Sequence, residues 1–133
     1  IDVIYSNWMI FGSSGYVKHP PKIRSSFIYR QAEQSNWRTT KWLCRTDCLG
    51  WFVKPAIHKV KGAKSERTIS DNINWQINHY IIQSKEYFED VKMQRGDATK
   101  KEKDSIRDWD YFKSIDSKCN TVDRQLADMT GSN

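Results

Sequence analysis

The chain holds only three histidines, His19, His58 and His79, the side chains best suited to take a proton or a transition metal near neutral pH. His19 precedes Pro20 and Pro21 and reads as an exposed loop residue. His58 falls in a short apolar segment among basic neighbours, and His79 in the run Asn78-His79-Tyr80. Each of these two imidazoles suits a metal or a phosphate, and a satisfied structural role is the alternative. Lys41 and Arg45 lie four residues apart on an expected strand, so their side chains project to one face. Two cations there suit a pyrophosphate or an acidic partner; a solvated edge is the plain alternative. Tyr80 and Lys85 add a second hydrogen-bonding and cationic pair. Gly12-Ser13-Ser14-Gly15 follows a strand directly, where small residues let the backbone approach a ligand and offer N–H and hydroxyl donors. It is neither a Walker loop nor a dinucleotide fingerprint, and a tight turn is its simpler reading. No Ser-His-Asp or Cys-His spacing supports nucleophilic hydrolysis. Cys44, Cys48 and Cys119 make an odd count. The C-x3-C pair has no partner pair at zinc-finger spacing, so free thiols are expected.

Those residues need elements to position them. Val3 to Phe11 is β-branched and aromatic and reads as a strand. Ser26 to Gln31 reads as a short strand or one helical turn, and Gln34 to Thr40 as a loop. Lys41 to Thr46 and Ala56 to Val60 read as strands, with His58 in the middle of the second. Lys61 to Asp71 reads as an exposed polar loop. Ile73 to Ile82 alternates most cleanly, with Ile73, Trp75, Ile77 and His79 on one face. The texture then turns helical. Ser84 suits an N-cap, Tyr87, Phe88 and Val91 follow at helical spacing, and Gly96 suits the end. Lys100 to Lys103 reads as a charged link. Ile106, Trp109, Phe112 and Ile115 mark the buried stripe of a second helix, with Asp104 at its start. Val122, Leu126 and Met129 suggest a short last helix, with Thr130 to Asn133 frayed. Strands first and helices last indicate an α+β piece, or the back end of an α/β domain.

The 133 residues suit one domain, with a strand-rich basic part over 1–83 and a helical part over 84–129. Residues 1–83 hold 12 Lys/Arg against 5 Asp/Glu, while residues 84–118 hold 9 of each, so the net charge of +6 originates in the first part. A basic surface of this kind attracts phosphates of nucleic acid, nucleotide or lipid. Aromatics at 13% argue against disorder. Mean hydropathy is −0.80, and no apolar run approaches the roughly 20 residues of a membrane span. The chain opens on Ile1 without a secretion signal, which suits a segment of a longer protein.

Several segments, in order, resemble GT-A glycosyltransferases of family 92 and the related family 2-like group. Asn7-Trp8-Met9-Ile10-Phe11-Gly12-Ser13-Ser14-Gly15 is similar to their N-W-x-x-F-G-S-S-G-H segment. Lys41 to Thr46 resembles K-x-x-x-R-P, and Ile57-His58 the v-H position that follows. Ile77 to Tyr80 with Ser84 to Phe88 resembles N-H-Y-x-x-K-S-x-E-x-F, and Lys92 to Gly96 resembles K-x-x-R-G. The stretch around Phe112, Asp116 and Asn120 resembles the F-x-x-x-D-x-N tail. The matches run from about residue 7 to 120.

The resemblance implies the C-terminal portion of a GT-A type mixed sheet followed by two or three helices. It also implies transfer of a sugar from a nucleotide-sugar donor to a glycan or other hydroxyl acceptor, without nucleic acid. The complete enzyme would use a divalent metal (Mn or Mg), held by an Asp-x-Asp pair and a later histidine. That pair lies upstream in the family, so the partner this chain lacks is an N-terminal nucleotide-binding half, and this part alone would be inactive. His58 takes the metal histidine's place, with His79 second. Lys41, Arg45, His79, Tyr80 and Lys85 would face the donor phosphates, and Gly12, Ser13, Ser14 and Gly15 would border donor or acceptor. Tyr16 stands where the family has His, and Thr46 where it has Pro. Asp47 is the best-placed acid for a catalytic role. The competing class is a non-catalytic, basic, aromatic-rich module that binds nucleic acid or another polyanion by stacking and charge.

Overall fold

The computed structural model describes residues 1–35, 40–95 and 107–130. The strands are β1 (Val3–Phe11), β2 (Tyr29–Gln31), β3 (Thr40–Cys44), β4 (Lys54–Pro55), β5 (Val60–Lys61), β6 (Thr68–Ser70), β7 (Ile77–Tyr80) and β8 (Cys119–Val122). The helices are α1 (Ile23–Ser26), α2 (Lys85–Tyr87), which runs into a π-helical turn at Phe88–Lys92, α3 (Trp109–Asp116) and α4 (Gln125–Thr130). The class is α+β with mostly antiparallel strands. The chain divides into two compact units. One is Ile1–Met9 with Glu33–His79; the other is Ile10–Ala32 with Tyr80–Asn133.

In the first unit β1 is the organising strand, spanning the expected residues. It pairs antiparallel with β3, from Val3 opposite Cys44 to Asn7 opposite Thr40. It pairs parallel with β6, from Val3 opposite Thr68 to Tyr5 opposite Ser70. β6 falls inside the segment expected to be a loop: two β-branched residues, Thr68 and Ile69, suffice when a neighbouring strand supplies the partners. The expected strand Ala56 to Val60 is instead the turn of a β4–β5 hairpin, with Pro55 opposite Val60 and the Ala56 amide donating to the Lys59 carbonyl at 2.8 Å. His58 therefore sits in a turn. The long strand expected from Ile73 is cut to Ile77–Tyr80. Asp71 Oδ1 accepts from the amides of Ile73 and Asn74 at 3.0 and 2.9 Å, an Asx turn that defeats the alternation and leaves Ile73 96% exposed.

In the second unit Phe11 pairs with Arg30, and β2 pairs antiparallel with β8 through a bulge at Arg30 and Gln31. The short last helix expected from Val122, Leu126 and Met129 forms as α4, but Val122 belongs to β8 instead and Met129 is 75% exposed. The core gathers Ile82, Phe88 and Phe112, with Trp109 and Ile115 packed against it, as the spacing of the second helix predicts. Each such buried side chain contributes roughly 1.5–3 kcal/mol. Ser84 caps α2, its Oγ accepting from the Tyr87 amide at 3.1 Å. The cap of α3 is Asp108, accepting from the Tyr111 amide at 2.8 Å, four residues after the Asp104 expected there. Gly96, the link 100–103, Asp104, Ile106 and residues 131–133 lie outside the described residues.

Candidate functional site

The first unit brings together Lys41, His58 and His79, and the meeting point is Trp8. The His79 ring stacks on the indole with centroids 3.9 Å apart, the His58 ring meets it edge-on at 5.4 Å, and Lys41 Nζ lies 5.7 Å from its centroid. Three elements converge to do this. Trp8 comes from β1, Lys41 from β3 and His79 from β7, while His58 comes from the β4–β5 turn. The turn is tied down by Thr40, whose Oγ1 donates to the His58 carbonyl at 3.0 Å. The Thr40 carbonyl in turn accepts from His58 Nδ1 at 2.9 Å. A carbonyl only accepts, so Nδ1 is the donor of this contact, which leaves Nε2 as the ring's other nitrogen. Lys41 Nζ also donates to the Ile57 carbonyl at 3.2 Å, and Trp42 Nε1 to the Ala56 carbonyl at 2.7 Å. The indole Nε1 of Trp8 is buried and has no acceptor among the described residues.

Arg45 lies elsewhere in the same unit. β3 stops at Cys44, and Arg45 turns to line a cavity of about 400 Å³ with Asp2, Asp47, Lys64 and Arg67. Lys41 instead borders a second cavity of about 260 Å³ with Trp42 and Trp75. The two cations expected on one face thus serve different surfaces. Arg45 pairs with Asp47 through Nε to Oδ1 at 3.0 Å and through its terminal nitrogen to Oδ2. The guanidinium holds the Asp47 carboxyl below its ordinary value. A carboxylate so occupied is a weak general base.

The remaining candidates, Gly12 to Gly15, Tyr80 and Lys85, belong to the second unit. Ser14 and Gly15 have φ of 52° and 78°, and the Tyr16 amide donates to the Ser13 carbonyl at 3.1 Å, so the loop is a tight turn of the I′ kind. Its polar groups are largely spent within the fold. Ser13 donates its amide and its hydroxyl to the two Asp116 oxygens, at 2.7 and 2.9 Å. Ser14 Oγ accepts from the amides of Ile28 and Tyr29 at 2.9 and 3.1 Å. A Cβ on Gly12 would lie 2.7 Å from Asp116 Oδ1 and from Cys119 Cβ, so that position needs glycine. Tyr80 packs against Phe11 and Phe27. Lys85 borders a cavity of about 640 Å³ with Trp109, Phe112, Lys113, Asp116 and Ser117. His19 is the exposed loop residue expected, and its Nδ1 lies 3.3 Å from the capping Ser84 Oγ at the entry to α2.

Compared with protein-family models, curated proteins and solved structures, the chain matches none. No described helix is long and apolar enough to cross a membrane. Among the described residues, no three His, Cys, Asp or Glu side chains gather as a metal-ligating group. His58 on its own has the form of a metal ligand: its Nδ1–H is fixed by a carbonyl and its Nε2 is presented. Among the described residues, His58 is thus suited to one ligand position of a metal at most. Three residues that hold these sites carry no site role in the sequence, two in the first unit and Asp116 in the second. Trp8 and Asp116 are named only within the resembling segments and Thr40 only as the end of a loop; the contacts that give them their roles are all long-range in sequence.

Proposed function

We propose that this chain is the C-terminal part of the catalytic domain of a GT-A type glycosyltransferase. The reaction would be transfer of a sugar from a nucleotide-sugar donor to an acceptor hydroxyl, metal-dependent in the complete enzyme. The observation that carries the proposal is the convergence of Lys41, His58 and His79 on Trp8, three positions singled out in the sequence for diphosphate chemistry. The ordered resemblance of the segments from Asn7 to Asn120 supplies the class. Two of those segments are also joined physically, through Ser13 and Asp116.

The residues divide the work as their chemistry allows. His58 would contribute one nitrogen to a divalent ion; that ion's chemistry is neutralisation of the leaving diphosphate. Lys41, a compact cation held against the indole face, would balance phosphate charge. His79, stacked on Trp8, fixes the indole that both neighbours use. The Gly12–Gly15 turn, locked by Asp116, offers a rigid border rather than a flexible phosphate loop.

The test is binding of a panel of nucleoside diphosphates to the full-length protein, with and without Mn²⁺. Metal-dependent binding, lost in His58→Ala and weakened at least about tenfold in Lys41→Ala, is the expected result. Unchanged metal-dependent binding in His58→Ala would remove that residue from the site. Binding of a generic oligonucleotide that needs no metal and falls steeply with salt would replace the transferase with the polyanion-binding module.

A further inference from the structure

Cys44 ends β3 and Cys48 ends the short 3-10 turn Thr46–Cys48 that follows. Their Sγ atoms lie 3.1 Å apart. Both thiols also point at one acceptor, the Arg45 carbonyl, at 3.3 Å from Cys44 and 2.9 Å from Cys48. Strand end, turn and shared carbonyl thus hold two thiols in near contact; closing the gap to the roughly 2.05 Å of a disulfide takes a shift of about 1 Å. Cys48 lines the cavity of about 400 Å³ beside Arg45 and Arg67, which gives a small oxidant a route to it. Cys119, in the second unit, is buried and has no thiol neighbour among the described residues.

We propose that Cys44 and Cys48 are an oxidation site that closes to an intramolecular disulfide when the protein meets a hydroperoxide. Cys48, and not Cys44, lines the cavity and so meets the oxidant first; burial, then the hydrogen bond with Cys48, raises the Cys44 thiol and suits it to the resolving role. The Cys48 thiolate attacks one oxygen of hydrogen peroxide: the S–O bond of a sulfenic acid forms, the O–O bond breaks, and the other oxygen takes up a proton and leaves as water. Cys44 then attacks the Cys48 sulfur. The S–S bond forms, the S–O bond breaks, and a second water leaves with the Cys44 proton. Two electrons pass from the thiols to the peroxide. The disulfide has no S–H, so the Arg45 carbonyl loses both thiol donors and keeps the Cys48 amide at 3.4 Å.

The experiment exposes the reduced full chain to hydrogen peroxide, caps residual thiols by alkylation and maps them by mass spectrometry. The expected product is a Cys44–Cys48 link with loss of two hydrogens, formed at least about tenfold faster than any change at Cys119. Cys44→Ser should stop at a sulfenic acid on Cys48 that a dione reagent traps. The wild-type map needs no variant to fold. A link from either cysteine to Cys119 or to a second chain, sulfinic acids in place of the link, or no change at either thiol would each overturn the proposal.

Discussion

At the scale of residues, one carboxylate does more than its sequence position suggests. Asp116 takes both donors of Ser13, whose side chain is 1% exposed. Removing the acceptor strands two donors in a buried place. Asp116→Ala should therefore cost about 1–3 kcal/mol in urea unfolding. Ser13→Ala loses only the hydroxyl and keeps the amide bond, so it should cost less. The double variant should fall short of the sum, because the two side chains share one interaction. Strict additivity would mean that Asp116 acts through something other than the Ser13 hydroxyl. The same contact shows how legible the site was. The Gly12–Gly15 turn could be read from its residue types, and its glycine and serines are needed. What they are needed for could not be read, since the partner stands 103 residues away in sequence. Trp8 is the parallel case: an indole on an apolar strand looks like core until the two imidazoles arrive from distant segments.

At the scale of elements, local signals succeeded where the chain itself supplied the partner. β1 was legible because a long β-branched and aromatic run has no competing pattern, and Ser84 because its cap is three residues from its donor. Two expected strands fail, each for its own local reason. Ile73 and Trp75 alternate correctly for a strand, but the Asp71 side chain captures the amides first. Ala56 to Val60 is apolar enough for a strand, but Pro55 offers no N–H and the turn closes on itself. The entry to α2 is a further case of side chain holding backbone, and it can be tested by pH. Glu86 accepts from Lys18 Nζ and from the His19 amide, both at 2.8 Å. Those bonds, the Lys18 one foremost, hold its carboxyl below the ordinary 4.5. A depressed carboxylate adds stability that is present above the unfolded value and lost as pH falls through the folded one. Glu86→Gln should thus be less stable than wild type above about pH 5, and the gap should close as pH falls below 4.5. A gap that stays constant down to pH 3 or so would show that Glu86 acts by packing alone.

At the scale of the whole molecule, charge and apolar surface make opposite demands. The net charge of +6 favours dispersal at low salt and draws polyanions. The first unit also carries exposed apolar side chains, above all the adjacent Trp51 and Phe52, at 83% and 85% exposure, and Ile73 at 96%. Adjacent exposed aromatics are unusual on a protein that works alone in water. Salt separates the two forces, because it screens charge and leaves or strengthens apolar association. Sedimentation of the purified chain should show self-association that grows with concentration and is stronger at high salt than at low. Replacing Trp51 and Phe52 together by Ser should reduce it, since neither side chain is buried enough for the fold to depend on it. Should high salt instead dissolve the complexes, their origin is the basic charge, and the polyanion-binding class gains at the expense of the transferase.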